Sequence, residues 1–309
     1  MSTHVPVMLN EAINALDIIP NGFYIDCTFG RGGHSKEILK NLNEDGRLLA
    51  LDKDLEAIKE AEKIKDKRFE IEHTSFKNLK NILKKKLQKP DGILMDLGIS
   101  SPQIDQAERG FSFQLDANLD MRMNQSQKLT ASEIVNNYSD DDLVKLLYDY
   151  GEERFAKKIV KSIIQYREEK GKISRTIELA EIINKAVPKF DSSKNPATKT
   201  FQALRIKVNE ELLEIKEVLP AAFEALKING RMAIISFHSL EDRIIKNFIK
   251  TKLNTDKVPK KIPILQRQIK SPPIKVTQKM QTPSSIEISK NKRARSAKLR
   301  VIEKILEER

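Results

Sequence analysis

The chain has 309 residues, 39% hydrophobic and 32% charged, enough length for about two domains and enough apolar side chains to exclude a disordered polypeptide. It holds no run of about 18 apolar residues, and Met1-Ser2-Thr3-His4 lacks a basic segment leading into an apolar one, so neither a membrane span nor a signal peptide is expected and a cytoplasmic location is. The net charge of +12 is segregated: residues 251–300 carry 14 Lys+Arg against Asp256 and Glu287, whereas residues 1–250 carry 40 against 39 acids.

The first hundred residues alternate strand-like apolar runs with helical periodicity, the pattern of a parallel α/β sheet. Residues 23–26 predict a strand that runs into the glycine-rich segment 28–34, followed by a helix over 35–42. A second buried strand is expected at 47–52, a helix at 54–65, a short third strand at 69–73, a basic helix at 76–87 and a fourth strand at 92–97. Residues 103–128 are irregular and polar. Residues 130–186 read as helical: Thr130 with Glu133 fits a capping box, Ser139 opens a helix with acids in its first turn, and Thr176 is placed as the cap of a third. An amphipathic helix over 206–227, a turn at Asn229-Gly230 and a strand at 231–237 then resume the α/β pattern. Five of the twelve prolines fall between 259 and 283, which predicts an extended loop, and 297–303 alternates like a last strand. The expected organisation is a discontinuous α/β domain, 1–104 with 206–309, around an inserted helical domain, 105–205.

A strand entering Gly30-x-Gly32-Gly33 and then a helix lets the backbone approach a nucleotide-type ligand closely. The spacing is not G-x-G-x-x-G, so no pyrophosphate site is implied. Asp52, ending the second strand, is placed to accept hydrogen bonds from both hydroxyls of a ribose. Asp26 ends the first strand and Asp96 the fourth. Each of these residues alone also suits an ordinary turn. Together they point to the crevice at the carboxyl ends of a parallel sheet and to an adenosine ligand that need not carry phosphate, which suggests S-adenosylmethionine.

Other groupings carry less. The lone Cys27 makes no internal disulfide, and His4, His34, His73 and His238 show no ligand spacing, so no metal site is expected. His238-Ser239 beside Glu241-Asp242 lacks the G-x-S-x-G elbow of a hydrolase. Asp140-Asp141-Asp142 reads as a helix start favoured by the helix dipole. The basic segment suits a polyanion such as nucleic acid through counterion release, and equally suits a solvated tail.

Six segments in order, 24–35 (YIDCTFGRGGHS), 96–103 (DLGISSPQ), 108–113 (ERGFSF), 151–156 (GEERFA), 200–205 (TFQALR) and 235–243 (ISFHSLEDR), resemble the RsmH (MraW) family of bacterial methyltransferases. The resemblance covers essentially the whole chain. It implies a class I S-adenosylmethionine-dependent methyltransferase fold, Rossmann-like, interrupted by a helical domain. It implies methyl transfer to the exocyclic amino nitrogen of a P-site cytosine in 16S ribosomal RNA of the 30S subunit. It also implies cofactor contacts at Gly32, Gly33, His34, Asp52, Phe76, Asp96 and Gln103, with Phe76 stacking on or flanking adenine.

Transfer to an amino nitrogen requires that its N–H hydrogens be accepted while it attacks the methyl, and Asp96 is the candidate. The turn after it, 96–102, lacks the paired prolines and the aromatic residue that amino-methyltransferases commonly carry there. Phe111 and Phe113 are candidates to stack an extruded base, or else to pack on the inserted domain. Lys290, Lys292, Arg293 and Arg295, together with Lys298 and Arg300, are expected to contact RNA phosphates. The competing readings are a DNA amino-methyltransferase and a ribosome-binding assembly factor without turnover.

Overall fold

The computed structural model describes residues 6–86, 88–187, 195–253 and 271–307. The chain divides into two compact units, Met1–Gly98 with Leu212–Arg309, and Ile99–Glu211.

The first unit is built on a seven-stranded sheet: β1 (Phe23–Asp26), β2 (Arg47–Asp52), β3 (Phe69–His73), β4 (Gly92–Asp96), β5 (Arg231–Ser236), β6 (Ile274–Val276) and β7 (Lys298–Lys304). Their spatial order is β3-β2-β1-β4-β5-β7-β6. Pairings among β1 to β5 are parallel, and β7 runs antiparallel between β5 and β6. This is the class I methyltransferase arrangement that the resemblance implies. The order reverses between β1 and β4, so the carboxyl ends of those two strands flank a ligand-binding crevice.

The central strands β1, β2, β4 and β5 form because their short apolar runs are buried on both faces, as parallel strands with helices on either side must be. Side-chain alternation sorts them into two cores. Phe23, Ile25, Leu49 and Leu51 pack with Val218, Leu219 and Phe223 of the helix Glu211–Ala225. Tyr24, Leu48, Leu94 and Ala233 pack with Leu16 and Ile38, from the helices Leu9–Leu16 and Gly33–Asn41. Each fully buried side chain of this size is worth roughly 1.5–3 kcal/mol.

The second unit comprises the helices Ser101–Asp105, Ala131–Asn137, Asp140–Gly151, Ala156–Lys170, Thr176–Ala186 and Ala197–Asn209, closed around Ile134, Leu147, Ile159, Ile183 and Leu204. The Thr130 hydroxyl accepts the Glu133 N–H at 3.1 Å and the Ser139 hydroxyl accepts that of Asp142 at 3.2 Å, both as expected of N-caps. Thr176 behaves differently. Arg175 occupies the cap position, and the buried Thr176 hydroxyl donates to the Leu115 carbonyl at 2.6 Å while accepting from the Ala117 N–H at 3.0 Å.

Two further expectations change. The helix expected over 206–227 is two helices, Ala197–Asn209 and Glu211–Ala225, parted at Glu210, whose φ of 53° ends the first by the left-handed route that glycine usually takes. Within the proline-rich stretch Ile274–Val276 pairs with β7, while 254–270 lie outside the described residues. The helix Ser239–Leu253 follows β5 directly. Among the described residues no helix is long and apolar enough to cross a membrane.

Candidate active site

The glycine-rich segment leaves β1 and is pinned to β2. The Gly30 N–H donates to Oδ2 of Asp52 at 2.8 Å, and the Asp54 N–H donates to Oδ1 at 2.9 Å. Burial pushes the Asp52 carboxyl up to about 6, against the pull of these two donors. Each carboxylate oxygen keeps lone-pair capacity for a further donor. Gly32 caps the helix Gly33–Asn41 with a φ of 71°, and a Cβ there would lie 2.6 Å from the Phe29 ring, so both conformation and space require glycine. Gly33 packs on Pro6, whose Cγ lies 2.0 Å from where a Cβ would project. The outer side of Gly30 is open, with no atom within 4 Å of a built Cβ.

Asp26 organises this turn from beneath. Fully buried, it accepts from the Ser35 hydroxyl at 2.6 Å and from the Thr28 N–H at 3.1 Å. Burial raises its carboxyl above the ordinary carboxylate range. The Thr28 hydroxyl oxygen in turn accepts the Asp96 N–H at 2.7 Å, tying the end of β4 to the loop after β1.

Asp96 is the chemically distinctive group. Its Oδ1 is buried without a hydrogen-bond partner among the described residues, and its Oδ2 lies 3.8 Å from Nδ1 of the buried His34. Burial first, then the charges of Asp26 and Glu241, hold its carboxyl well above the usual range. Such an acceptor favours any donor that approaches it.

On the far side of Asp52, Phe76 opens the turn Phe76–Asn78 and lies half-buried against the core. Sequence reasoning passed over the group that fixes this side. The buried Glu214 accepts from the Ser75 hydroxyl and from Nζ of Lys53, both at 2.8 Å, and so joins the residue before Phe76 to the residue after Asp52. No local signal marks it, because its partners lie 139 and 161 positions away.

These features fit S-adenosylmethionine: an open glycine turn, a carboxylate with acceptor capacity for ribose, a half-exposed aromatic ring, and an unsatisfied buried oxygen. Residues 1–305 match the model of the MraW methylase family. The chain belongs to that family. It is 48% identical to the ribosomal RNA small subunit methyltransferase H of Methylobacillus flagellatus, over 98% of this chain and 95% of that protein. It is likewise 48% identical to the protein of that name from Coxiella burnetii, over 99% of this chain and all of the other.

The remaining candidate residues lie in the helical unit and the basic segment. The Gln103 side chain is buried, and its Oε1 accepts the Ser100 N–H at 2.9 Å in a capping box. Phe111 is only 7% exposed and belongs to the core of the helical unit, so stacking a base on it would require opening that core. Its role is packing. Phe113 is half-buried, edge-to-face with Phe201 at 5.4 Å.

Lys290, Lys292, Arg293 and Arg295 are exposed along the helix Ser285–Lys290 and the turn Lys292–Ser296. Lys298 and Arg300 are otherwise engaged: they sit in β7 and donate to Asp242 at 3.1 and 2.7 Å. One carboxylate is thus shared between two cations, which leaves a net positive charge at this edge of β7.

Proposed function

We propose that this chain is an S-adenosylmethionine-dependent methyltransferase of small-subunit ribosomal RNA, acting in the cytoplasm on the exocyclic amino nitrogen (N4) of a P-site cytosine in the 30S particle. What carries the reading is the unsatisfied Asp96 oxygen beside a glycine turn and Asp52, at the switch point of a class I sheet, in a chain that matches the methylase family almost end to end.

When bound, S-adenosylmethionine supplies a methyl group made electrophilic by its sulfonium. The chain's own residues then have separate tasks. Asp52 accepts the ribose hydroxyls, Phe76 flanks the adenine, and Gly32, Gly33, His34 and Gln103 complete the cofactor's surroundings. Asp96 accepts an N–H hydrogen of the cytosine amino group, whose lone pair is otherwise delocalised into the ring, and draws that nitrogen toward tetrahedral geometry. Thr28 holds the Asp96 backbone so that the acceptor is preorganised. Lys290, Lys292, Arg293 and Arg295 meet RNA phosphates.

Transfer of radiolabelled methyl from S-adenosylmethionine to 30S particles, naked 16S RNA and duplex DNA tests the reading. Label in the cytosine of 30S particles is the expected result. Label only in DNA makes the protein a DNA amino-methyltransferase, and binding to 30S without transfer makes it an assembly factor.

A further inference from the structure

The segment 235–243 meets β4 where the chemistry is expected. Asp96 pairs with Ile235 across the sheet, and the Leu97 N–H donates to the Ile235 carbonyl at 2.9 Å. Two residues further along each strand, Gly98 therefore comes level with Phe237. Gly98 has a φ of 103°, and a Cβ there would stand 3.3 Å from Cδ2 of Phe237. The contact would be tighter than ordinary van der Waals packing, and glycine lets the ring lie close across the turn.

The ring is also firmly mounted. Glu241, fully buried, accepts the Phe237 N–H at 2.7 Å and the His238 N–H at 3.2 Å through one carboxylate oxygen, while its other oxygen lies 3.2 Å from Nε2 of His238. Phe237 itself remains only partly buried. An aromatic ring on a fixed backbone, beside the turn that follows Asp96, is what base chemistry needs, because the target must leave its own stack and find another. The turn 96–102 holds no aromatic residue, and Phe111 is committed to the helical core.

We propose that Phe237 is the platform on which the target cytosine stacks, presenting its amino group to Asp96, with Glu241 as the positioning residue that fixes the platform. The inference rests on the cytosine methyltransferase reading above. Stacking on a protein ring is worth a five- to 150-fold change, from about 1–3 kcal/mol per base.

The test compares Phe237→Leu, Phe237→Met and Phe237→Tyr with the unaltered protein. Single-turnover methyl transfer to 30S particles is measured alongside S-adenosylmethionine affinity by calorimetry and the melting temperature. The expected result is a five- to 150-fold loss in transfer efficiency for the Leu and Met variants, with cofactor affinity and melting temperature held, and near-full activity in the Tyr variant. Leu and Met variants within twofold of the unaltered protein overturn the proposal. So does a Tyr variant as impaired as they are, since that marks a packing role. Should the unaltered protein itself leave cytosine unmethylated, the functional reading fails and the platform falls with it.

Discussion

The Gly30 backbone N–H and Oδ2 of Asp52 are joined by a 2.8 Å hydrogen bond, so the carboxylate assigned to the ribose also holds the glycine turn in place. Replacing Asp52 by Ala should therefore weaken S-adenosylmethionine binding by about 1.5–3 kcal/mol, the worth of charge-assisted hydrogen bonds, while the protein stays folded. Because burial pushes this carboxyl up to about 6, protons compete with the cofactor near neutrality. Affinity should fall as the pH drops below about 6, and Asp52→Asn should remove that dependence. Calorimetry on either side of this pH checks both; unchanged affinity in the Ala variant takes Asp52 out of the site.

Asp96→Asn separates chemistry from binding. The exchange keeps the shape but removes a carboxyl able to accept a proton, so single-turnover transfer at saturating S-adenosylmethionine should fall about a hundredfold, with RNA affinity nearly constant. A near-normal rate would make Asp96 a cofactor ligand only and would direct the search to acceptors in Gly98, Ile99 and Ser100.

For the basic segment, neutralising Lys290, Lys292 and Arg293 together should lower the slope of log affinity against log salt by roughly two to three units, at about 0.7–0.9 per phosphate contact. An unchanged slope in a filter-binding titration would identify these cations as solvating only.

Asp242 makes the opposite case. Burial favours its neutral form, but Arg300 and Lys298 outweigh burial and hold its carboxyl below the usual range. A depressed carboxyl contributes stability that is present above its unfolded value and disappears as the pH falls through the folded one. Asp242→Asn should cost about 1.5–3 kcal/mol near pH 7. The difference in melting temperature from the unaltered protein should shrink on acidification, and a constant gap would contradict the ion pair's role.

Strands β1, β2 and β4 were legible because each is a short apolar run closed by an aspartate, a pattern that needs no distant information. Glu210 shows where legibility stops. Its left-handed φ breaks a helix without a glycine to signal it, so 206–227 reads as continuous. Thr176 was misplaced because its hydroxyl donates to the Leu115 carbonyl and accepts from the Ala117 N–H instead of capping its own helix. In the site, Asp26, Asp52 and Asp96 stood out by ending strands, whereas Glu214 and the Asp242 pairs join residues far apart in the chain. Periodicity likewise placed no burial on Phe111, which the helical core absorbs.

The position of β7 bears on how the protein is made. Lys298–Lys304 lies between β5 and β6 and forms six residue pairs with β5, which was synthesised some sixty residues earlier. While the nascent chain is shorter than this, β5 has one unpaired edge whose residues Met232, Ile234 and Ile235 are among the most apolar of the sheet. Such an edge invites association with other chains. Closure of the sheet is thus a late, long-range event in biosynthesis, and a chain that ends before residue 298 leaves this apolar edge of β5 unpaired.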